Sequence, residues 1–331
     1  VIVHAWEEWS DACVSRFRGM FAFALWDRNR QVLFLARDRL GIKPLYYSLL
    51  SNGHFVFGSE LKALKQHPEL DRKIDVQAIE EYFALGYIPE PRSIYQGTSK
   101  LRPGHTLMLR RGEPFPEQRQ YWDVPFEPAA NLPTLEEAEA GLIEQLREAV
   151  GIRLIAEVPL GAFLSGGVDS STVVALMQAG HTSAVKTFSI GFEDPEFDEA
   201  GFAGEVAGHI GTDHTELYVS PEDCLDVIPE LPGMFSEPFS DSSQIPTYLV
   251  SKLARSAVTV SLSGDGGDEL FAGYHNYSFG AALWNRAGGV PHWLRGPGAV
   301  AAKAVPTRLW DRFLSLARPF DSGGRAFEIN G

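Results

Sequence analysis

Two patterns of apolar residues divide this chain into an early and a late part. Between residues 19 and 60, short apolar stretches alternate with turn residues, and no helical stretch separates them. The Asn52-Gly53 pair between two such stretches is typical of a tight β-hairpin. Adjacent strands without helices between them predict an antiparallel sheet in an α+β domain, which a helix near 75–85 and a strand near 106–110 continue. The predicted strands cover residues 20–26, 32–36, 45–50 and 54–57.

From residue 135 onward the pattern changes to helices alternating with strands. This alternation predicts an α/β domain whose parallel sheet is covered on both faces and binds ligands at the carboxyl ends of its strands. Helices are predicted at 135–154, 169–179, 198–209 and 245–255, and strands at 159–164, 185–191, 215–219 and 257–262. Between the two patterns, residues 124–133 contain three prolines and no periodicity, which is typical of a linker. We therefore predict one domain at 1–123, a linker at 124–134 and a second domain at 135–331.

Composition narrows the class of partner. A formal net charge of −14 argues against nucleic acid or an anionic membrane surface as the main partner. No apolar run has the length of a membrane span, and no signal peptide opens the sequence. With only Cys13 and Cys224, a disulfide framework is not expected, and a reducing, cytoplasmic location is predicted. Because the sequence opens with Val1 and stops at Gly331 without a helix cap, we expect a fragment at both ends.

The most informative motif is a glycine-rich loop, Leu-Ser-Gly-Gly-Val-Asp-Ser-Ser at residues 164–171, between a predicted strand and a predicted helix. Its glycines allow backbone N–H groups to approach phosphate oxygens, and the helix presents its positive end to the anion. Asp169 supplies a hard oxygen ligand for Mg²⁺. The lysine and the longer glycine spacing of a Walker A loop are missing. A loop that holds the β and γ phosphates of ATP favours attack at the α phosphorus, so the motif indicates an adenylating enzyme.

A second acidic glycine loop follows the predicted strand at 257–262. Residues 263–274 contain four glycines and three acids, a combination that a bound cation or substrate would stabilise. Ser263 and Gly264 are placed to line a nucleotide. Asp268 could share Mg²⁺ with Asp169 across the pyrophosphate oxygens, and Asp265 would lie between metal and substrate.

The first loop and a later acidic segment each have a simpler interpretation as well. The first loop alone could be a tight turn with Asp169 as the N-cap of its helix. Two such loops after separate strands favour a nucleotide site. Glu237 and Asp241, within residues 236–243, either help to bind substrate or form a simple turn.

At this point the motifs resemble those of the glutamine-dependent asparagine synthetases. The resemblance rests on the two loops, on Arg-Gly-Met-Phe-Ala-Phe-Ala-Leu-Trp-Asp at 18–27 and on Ala-Arg-Asp-Arg-Leu-Gly-Ile-Lys-Pro-Leu-Tyr-Tyr at 36–47. It implies the later part of an α+β N-terminal-nucleophile glutaminase domain, of the class II glutamine amidotransferase type. An α/β synthetase domain of the ATP-pyrophosphatase type, similar to the adenine-nucleotide α-hydrolases, would follow.

The resemblance also implies roles for individual residues. Asp265 would be catalytic, at the position associated with forming β-aspartyl-AMP, and Asp169 and Asp268 would hold Mg²⁺. The implied ATP contacts are Leu164, Ser165, Gly166, Gly167, Ser170, Ile190, Ser263 and Gly264.

The implied reaction has three steps: ATP activates the aspartate side chain, glutamine is hydrolysed in the other domain, and ammonia displaces AMP. This sequence departs from the family at the nucleophile, an amino-terminal cysteine for which Cys13, with no free α-amine, cannot substitute. We expect the glutaminase site to lie before Val1 and further lysine-bearing segments to lie beyond Gly331. The implied partners are aspartate and glutamine or ammonia, and a homodimer is compatible with the resemblance.

Two alternatives stay open. A related enzyme could use the same fold on another carboxylate, as a β-lactam or peptide-cyclising synthetase or a polysaccharide-associated amidotransferase would. The chain could instead belong to a non-catalytic ATP-binding regulator. Asp265 and the 37–47 motif favour asparagine formation, and the paired acids Asp169 and Asp268 argue against pure binding.

Overall fold

The computed structural model describes residues 1–126, 132–194 and 198–289, and after these only residues 291, 293, 295–298, 305, 306, 309 and 310. The chain end at Gly331, expected to lack a cap, lies outside the described residues. The contacts form two compact units, Val1–Ser263 and Gly264–Gly331. No helix in the described ranges is both long enough and apolar enough to cross a bilayer.

The part of the chain before residue 121 is rich in strands, as its pattern predicts. Its strands are β1 (Ala22–Asp27), β2 (Val32–Arg37), β3 (Tyr46–Leu49), β4 (Phe55–Gly58), β5 (Thr98–Lys100), β6 (His105–Arg110) and β7 (Arg119–Gln120). Its helices are α1 (Ile2–Trp9), α2 (Leu61–Leu64) and α3 (Val76–Leu85), with a 3-10 segment at Ser10–Arg16. The predicted hairpin at Asn52-Gly53 joins β3 to β4 in antiparallel pairing.

These strands form two antiparallel sheets, β1-β2-β6-β7 and β4-β3-β5, and the prediction of a single sheet is wrong. The turn between β2 and β3 explains the division. The carboxylate of Asp38, which is 2% exposed, accepts hydrogen bonds from the backbone N–H groups of Ile42 and Lys43, each at 3.0 Å. This folding of the chain after β2 directs β3 away from the first sheet and into the second.

Strand β2 is buried on both faces, which accounts for its uninterrupted apolar sequence. Because side chains alternate along a strand, Phe34 and Ala36 enter one core, where Phe34 packs near Trp6. Leu35 points the other way and packs with Leu107 of β6. Both sides of this sheet are therefore closed by apolar contacts.

The later part of the chain alternates helices and strands, as predicted. The elements are α4 (Leu135–Gly151), β8 (Leu160–Phe163), α5 (Val168–Ala179), β9 (Lys186–Phe192), α6 (Ala200–Ile210), β10 (Asp213–Val219), α7 (Pro221–Val227), α8 (Leu231–Met234), α9 (Gln244–Arg255) and β11 (Val260–Leu262). The second compact unit contains α10 (Gly267–Phe271) and α11 (His275–Gly288). Helix α7 is absent from the predicted elements, although a capping box of Ser220 and Asp223 with Pro221 marks its start.

The later strands form one parallel sheet with the order β10-β9-β8-β11. Ala162 packs in a core with side chains of α4, α5 and α6. Phe163, the next residue, packs with Phe188 and with Ala254 of α9 in a different core. Helices thus cover both faces, which confirms the predicted α/β organisation. Of the predicted linker, residues 127–131 lie outside the described residues, and 124–126 and 132–134 are exposed.

Candidate functional site

Residues 164–171 form a loop and the first turn of α5 at the carboxyl end of β8. Strand β11 lies beside β8 in parallel, with Leu262 paired to Ala162, so Ser263 leaves the sheet at the same edge. Both glycine-rich sequences therefore begin at one edge of the sheet. This edge is where the alternating pattern predicts a ligand site.

A pair of serines closes the first loop. The Oγ atoms of Ser165 and Ser170 lie 2.9 Å apart, and the backbone N–H of Ser165 donates to Ser170 Oγ at 3.2 Å. Ser170 also donates to the carbonyl of Gly167 at 3.3 Å. Ser170 is 8% exposed, so its hydroxyl serves the loop itself. Ser165 is exposed, and its side chain is the one open to a ligand.

The two glycines of the loop have different environments. Gly166 has φ +80°, and a Cβ there would lie 2.8 Å from the backbone nitrogen of Ala203 and 2.8 Å from atoms of Phe202. Gly167 has φ −69°, and its Cβ would meet only Ser165 Oγ, at 3.3 Å. The fold therefore requires glycine at 166, whereas at 167 the missing side chain leaves the backbone open to a ligand.

The amino terminus of α5 has no side-chain cap. Gly167 is the N-cap residue and makes no side-chain hydrogen bond to the helix. Asp75, Thr134 and Ser220, in contrast, cap α3, α4 and α7. The first N–H groups of α5 have no acceptor within the helix. This end of the helix therefore has the free hydrogen-bond donors and the positive end of the helix dipole, both of which favour phosphate binding.

Asp169 lies in the first turn of α5 and is partly exposed. The interpretation of Asp169 as the N-cap is wrong, since Gly167 occupies that position. Among the described residues, none donates a hydrogen bond to its carboxylate or forms an ion pair with it. The carboxylate is therefore available to a cation.

Two predicted nucleotide contacts lie in cores. Leu164 is 2% exposed and packs with Val174 and Met177, while its backbone N–H donates to the carbonyl of Phe188. Ile190 in β9 packs partly buried against Val219. Leu164 can face a ligand only through its backbone carbonyl.

The second loop crosses the boundary between the compact units after Ser263. Gly266, with φ +95°, is the N-cap of α10, and Asp268 lies in the first turn of that helix. Gly264 and Asp268 are partly exposed, and Asp265 is exposed. Asp169 belongs to the first unit and Asp268 to the second, and their convergence on one ion stays a prediction.

In the described part of the chain, no group of three or more His, Cys, Asp or Glu side chains is arranged to hold a metal ion. Mg²⁺ commonly uses one or two carboxylates, with phosphate oxygens and water completing its shell. One carboxylate beside a phosphate-binding helix end fits that type of site.

Glu237 and Asp241 have separate roles in the first unit. Asp241 is exposed and accepts a hydrogen bond from the backbone N–H of Ser243 at 2.8 Å, which is the simple turn considered for it. Glu237 is not a simple turn residue, because its carboxylate is buried and bonded to Lys100 at 2.5 Å and to the N–H of Ile94 at 2.6 Å. No sequence signal pairs residues so far apart.

Neither cysteine has the properties of an activated nucleophile. Burial raises the pKa of the Cys13 thiol, and the nearby charge of Asp11 raises it further. Burial and Asp223 likewise raise the pKa of Cys224. A raised pKa decreases the thiolate fraction at neutral pH, so the sequence-based exclusion of Cys13 agrees with its environment.

The serine pair gives a first testable prediction. Ser170→Ala removes the hydroxyl that accepts from Ser165, and we expect the KM for ATP to rise about fivefold, the equivalent of about 1 kcal/mol. Ser171→Ala is the matched control, because the Ser171 hydroxyl is buried and has no hydrogen-bond partner among the described groups. Steady-state kinetics with varied ATP would measure both. Equal KM values in the two variants would contradict a role for the Ser165–Ser170 contact.

Comparisons with known proteins match the two parts of the chain separately. The family model described as asparagine synthase matches residues 141–327, and the glutamine amidotransferase domain matches residues 1–122. A putative asparagine synthetase (glutamine-hydrolyzing) 2 of Methanocaldococcus jannaschii is 42% identical over 278 residues, covering 83% of this chain and 53% of that protein. Asparagine synthetase (glutamine-hydrolyzing) 1 of Bacillus subtilis is 34% identical over 339 residues, covering 97% of this chain and 52% of that protein.

The chain spans about half the length of these curated relatives. Among solved structures, a glutamine-dependent NAD⁺ synthetase from Acinetobacter baumannii in complex with ADP matches 81% of this chain and 64% of its own. Its TM-score is 0.30 at 15% identity, too low for the likeness to bear on fold or function.

Proposed function

We propose, because this chain belongs to the asparagine synthase family, that the complete protein converts aspartate to asparagine with ATP and with nitrogen from glutamine. An oxygen of the aspartate side chain attacks the α phosphorus of ATP, the bond to the β phosphate breaks, and pyrophosphate leaves. Ammonia, released with glutamate when water hydrolyses glutamine, then attacks the acyl carbon. The acyl–oxygen bond breaks, AMP leaves, and the nitrogen loses a proton.

The observation that carries this proposal is the uncapped amino terminus of α5 behind the loop of Gly166 and Gly167. Its free N–H groups and dipole would bind the β and γ phosphates. The open side of Gly167 leaves room for a phosphate against the backbone. Because pyrophosphate is the leaving group, the same donors would stabilise the charge that develops on it.

Asp169 is the proposed Mg²⁺ ligand in the first compact unit, since its carboxylate has no partner among the described residues. Mg²⁺ bound there would reduce the charge of the departing pyrophosphate. Asp268 is the proposed second ligand. Asp265, exposed in the same glycine-rich sequence, is proposed to act at the formation of β-aspartyl-AMP.

The remaining nucleotide contacts are proposed for Ile190, Ser263 and the backbone of Leu164, which lie at the same edge of the sheet. Gly264, in the second compact unit, is proposed as a further contact. For the first part of the chain, the amidotransferase match and the antiparallel sheets support an N-terminal-nucleophile fold. Cytoplasmic location and homodimer formation stay predictions.

The direct test is pyrophosphate release by the complete protein with ATP, Mg²⁺, ammonia and one carboxylic acid at a time. We expect release with aspartate in the absence of glutamine, together with formation of asparagine and AMP. Other acids of similar size should give rates at least about tenfold lower. A site built to hydrogen-bond a polar substrate rejects an analogue that leaves the polar groups of the site without partners.

Three results would decide against the proposal. Equal pyrophosphate release with every acid would remove the assignment of aspartate. Release with another acid alone would assign the site to that carboxylate. ATP binding by isothermal titration without any release would indicate the non-catalytic regulator.

A further inference from the structure

Residues 233–240, which comprise the end of α8 and the segment after it, contact the part of the chain matched by the amidotransferase family. The Oγ of Ser236 accepts from the backbone N–H of Leu61 at 3.0 Å, and the N–H of Ser240 donates to the carbonyl of Gly86 at 2.6 Å. Lys62 Nζ lies 3.2 Å from the carbonyl oxygen of Met234. The segment itself belongs to the part matched by the asparagine synthase family. These contacts join the two family regions within the first compact unit.

Glu237 makes the most buried of these contacts. One carboxylate oxygen accepts from the N–H of Ile94 at 2.6 Å. The other lies 2.5 Å from Lys100 Nζ and accepts from the hydroxyl of Tyr46 at 3.2 Å. The side chain of Glu237 is 8% exposed and that of Lys100 is 11% exposed. We call Glu237, Lys100, Tyr46 and the Ile94 amide the Glu237 cluster.

Each charged or polar group of the Glu237 cluster has a partner of complementary charge or hydrogen-bonding type. Lys100 also donates to the carbonyl of Ile88 at 2.7 Å, so its ammonium has two acceptors. Burial raises the pKa of Tyr46 strongly, and the negative charge of Glu237 raises it further. Tyr46 therefore keeps its proton and donates to the carboxylate. A buried pair with these additional hydrogen bonds holds a defined geometry, and removing one charged partner leaves the other uncompensated.

The position of the cluster in the chain links it to the candidate site. From Glu237 the chain continues into α9, whose Leu249 packs with Val219 of β10. It then enters β11 and reaches Ser263 at the edge of the sheet where the two glycine-rich loops begin. On the other side, Tyr46 and Lys100 belong to neighbouring strands β3 and β5, paired directly opposite each other. The cluster thus ties the second antiparallel sheet to the segment that leads to Ser263.

We propose that Glu237 is a positioning residue that holds the amidotransferase region in register with the synthetase region, so that ammonia released in one is used in the other. This inference rests on the proposed function. Glu237 does not take part in either chemical step. Its carboxylate fixes where the two regions meet, through Lys100, Tyr46 and the Ile94 amide.

The test measures coupling in the complete protein, as asparagine formed per glutamine hydrolysed. The main variant combines Lys100→Met with Glu237→Gln, so that no charge is left buried alone, and Glu237→Gln is studied beside it. We expect the coupling ratio to fall about tenfold, because ammonia from a displaced region escapes before it reacts. Glutamine hydrolysis and asparagine formation from added ammonia should both keep their wild-type rates.

Glu148→Gln is the matched control. Glu148 pairs with Arg18 between the same two regions at 2.5 Å, but both side chains are 57% exposed. Exposed ion pairs contribute little, so this variant should keep the wild-type ratio.

Two outcomes would overturn the inference while leaving the proposed function intact. An unchanged coupling ratio in the double variant would show that the cluster does not position the regions. A parallel loss of all three activities would assign Glu237 to folding alone. Absence of amide formation by the wild-type protein with added ammonia would instead remove the proposed function and this inference with it.

Discussion

Replacing Asp169 with asparagine is expected to lower aspartate-dependent pyrophosphate release by at least about 10²-fold, the scale of losing one preorganised electrostatic group in an active site. The substitution keeps the size of the side chain and removes its charge. Because no described residue bonds to the carboxylate, the fold should not change. The loss should therefore appear in kcat and in the dependence of the rate on Mg²⁺, while stability falls only by the small contribution of one helix-dipole interaction.

The matched control for Asp169 is Glu222→Gln. Glu222 is an exposed acid in the first turn of α7, the position that Asp169 has in α5. Removing it costs the same helix-dipole interaction, so the two variants should have similar thermal stability. A wild-type rate of pyrophosphate release in Asp169→Asn would refute the metal-ligand assignment. Equal losses in both variants would indicate an effect of total charge.

Local sequence patterns predicted the alternating helices and strands of the later part of the chain well, because the signals for these elements lie within the elements or beside them. The continuous apolar stretch predicted as a strand at 159–164 is typical of a strand buried on both faces, and its adjacent residues Ala162 and Phe163 do enter different cores. Glycine at 166 and 167 between strand and helix correctly located a loop at the carboxyl end of β8. These features depend on residues close in sequence.

The features that sequence reasoning missed depend on distant residues. Tyr46 and Glu237 are 191 positions apart, and nothing in either local sequence indicates that they meet. Asp38 is another case, since the turn that separates the two antiparallel sheets depends on its buried carboxylate. Aspartate is common in turns of every kind, so its presence in the sequence does not indicate a buried one. Leu164 was predicted as a nucleotide contact by resemblance, and only the packing of α5 shows its side chain to be enclosed.

The two glycines of the first loop separate the simple interpretation of a turn and cap from a nucleotide site. Gly166→Ala should destabilise the protein, because a left-handed backbone costs a residue with a Cβ about 1–2 kcal/mol and the Cβ would meet the fixed backbone of Ala203. We expect its melting temperature to fall by roughly 5 °C or more. This result follows from the fold alone and holds under either interpretation.

Gly167→Ala should behave differently. Its φ of −69° suits alanine, whose lower entropy in the unfolded chain offsets its weaker preference for the N-cap position, so stability should change by less than about 1 kcal/mol. The added methyl group would occupy the open side on which a phosphate is proposed to approach the backbone. The KM for ATP should therefore rise about tenfold or more, the equivalent of about 1.4 kcal/mol of binding.

Thermal melting and ATP-dependent pyrophosphate release, measured on both variants, decide between the interpretations. A stable Gly167→Ala protein that binds ATP poorly would support phosphate contact at this backbone. If Gly167→Ala instead kept the wild-type KM for ATP, the absence of a side chain there would have no connection with the nucleotide. The uncapped end of α5 would then lose its assigned ligand, because Gly167 is the residue through which a phosphate would reach it.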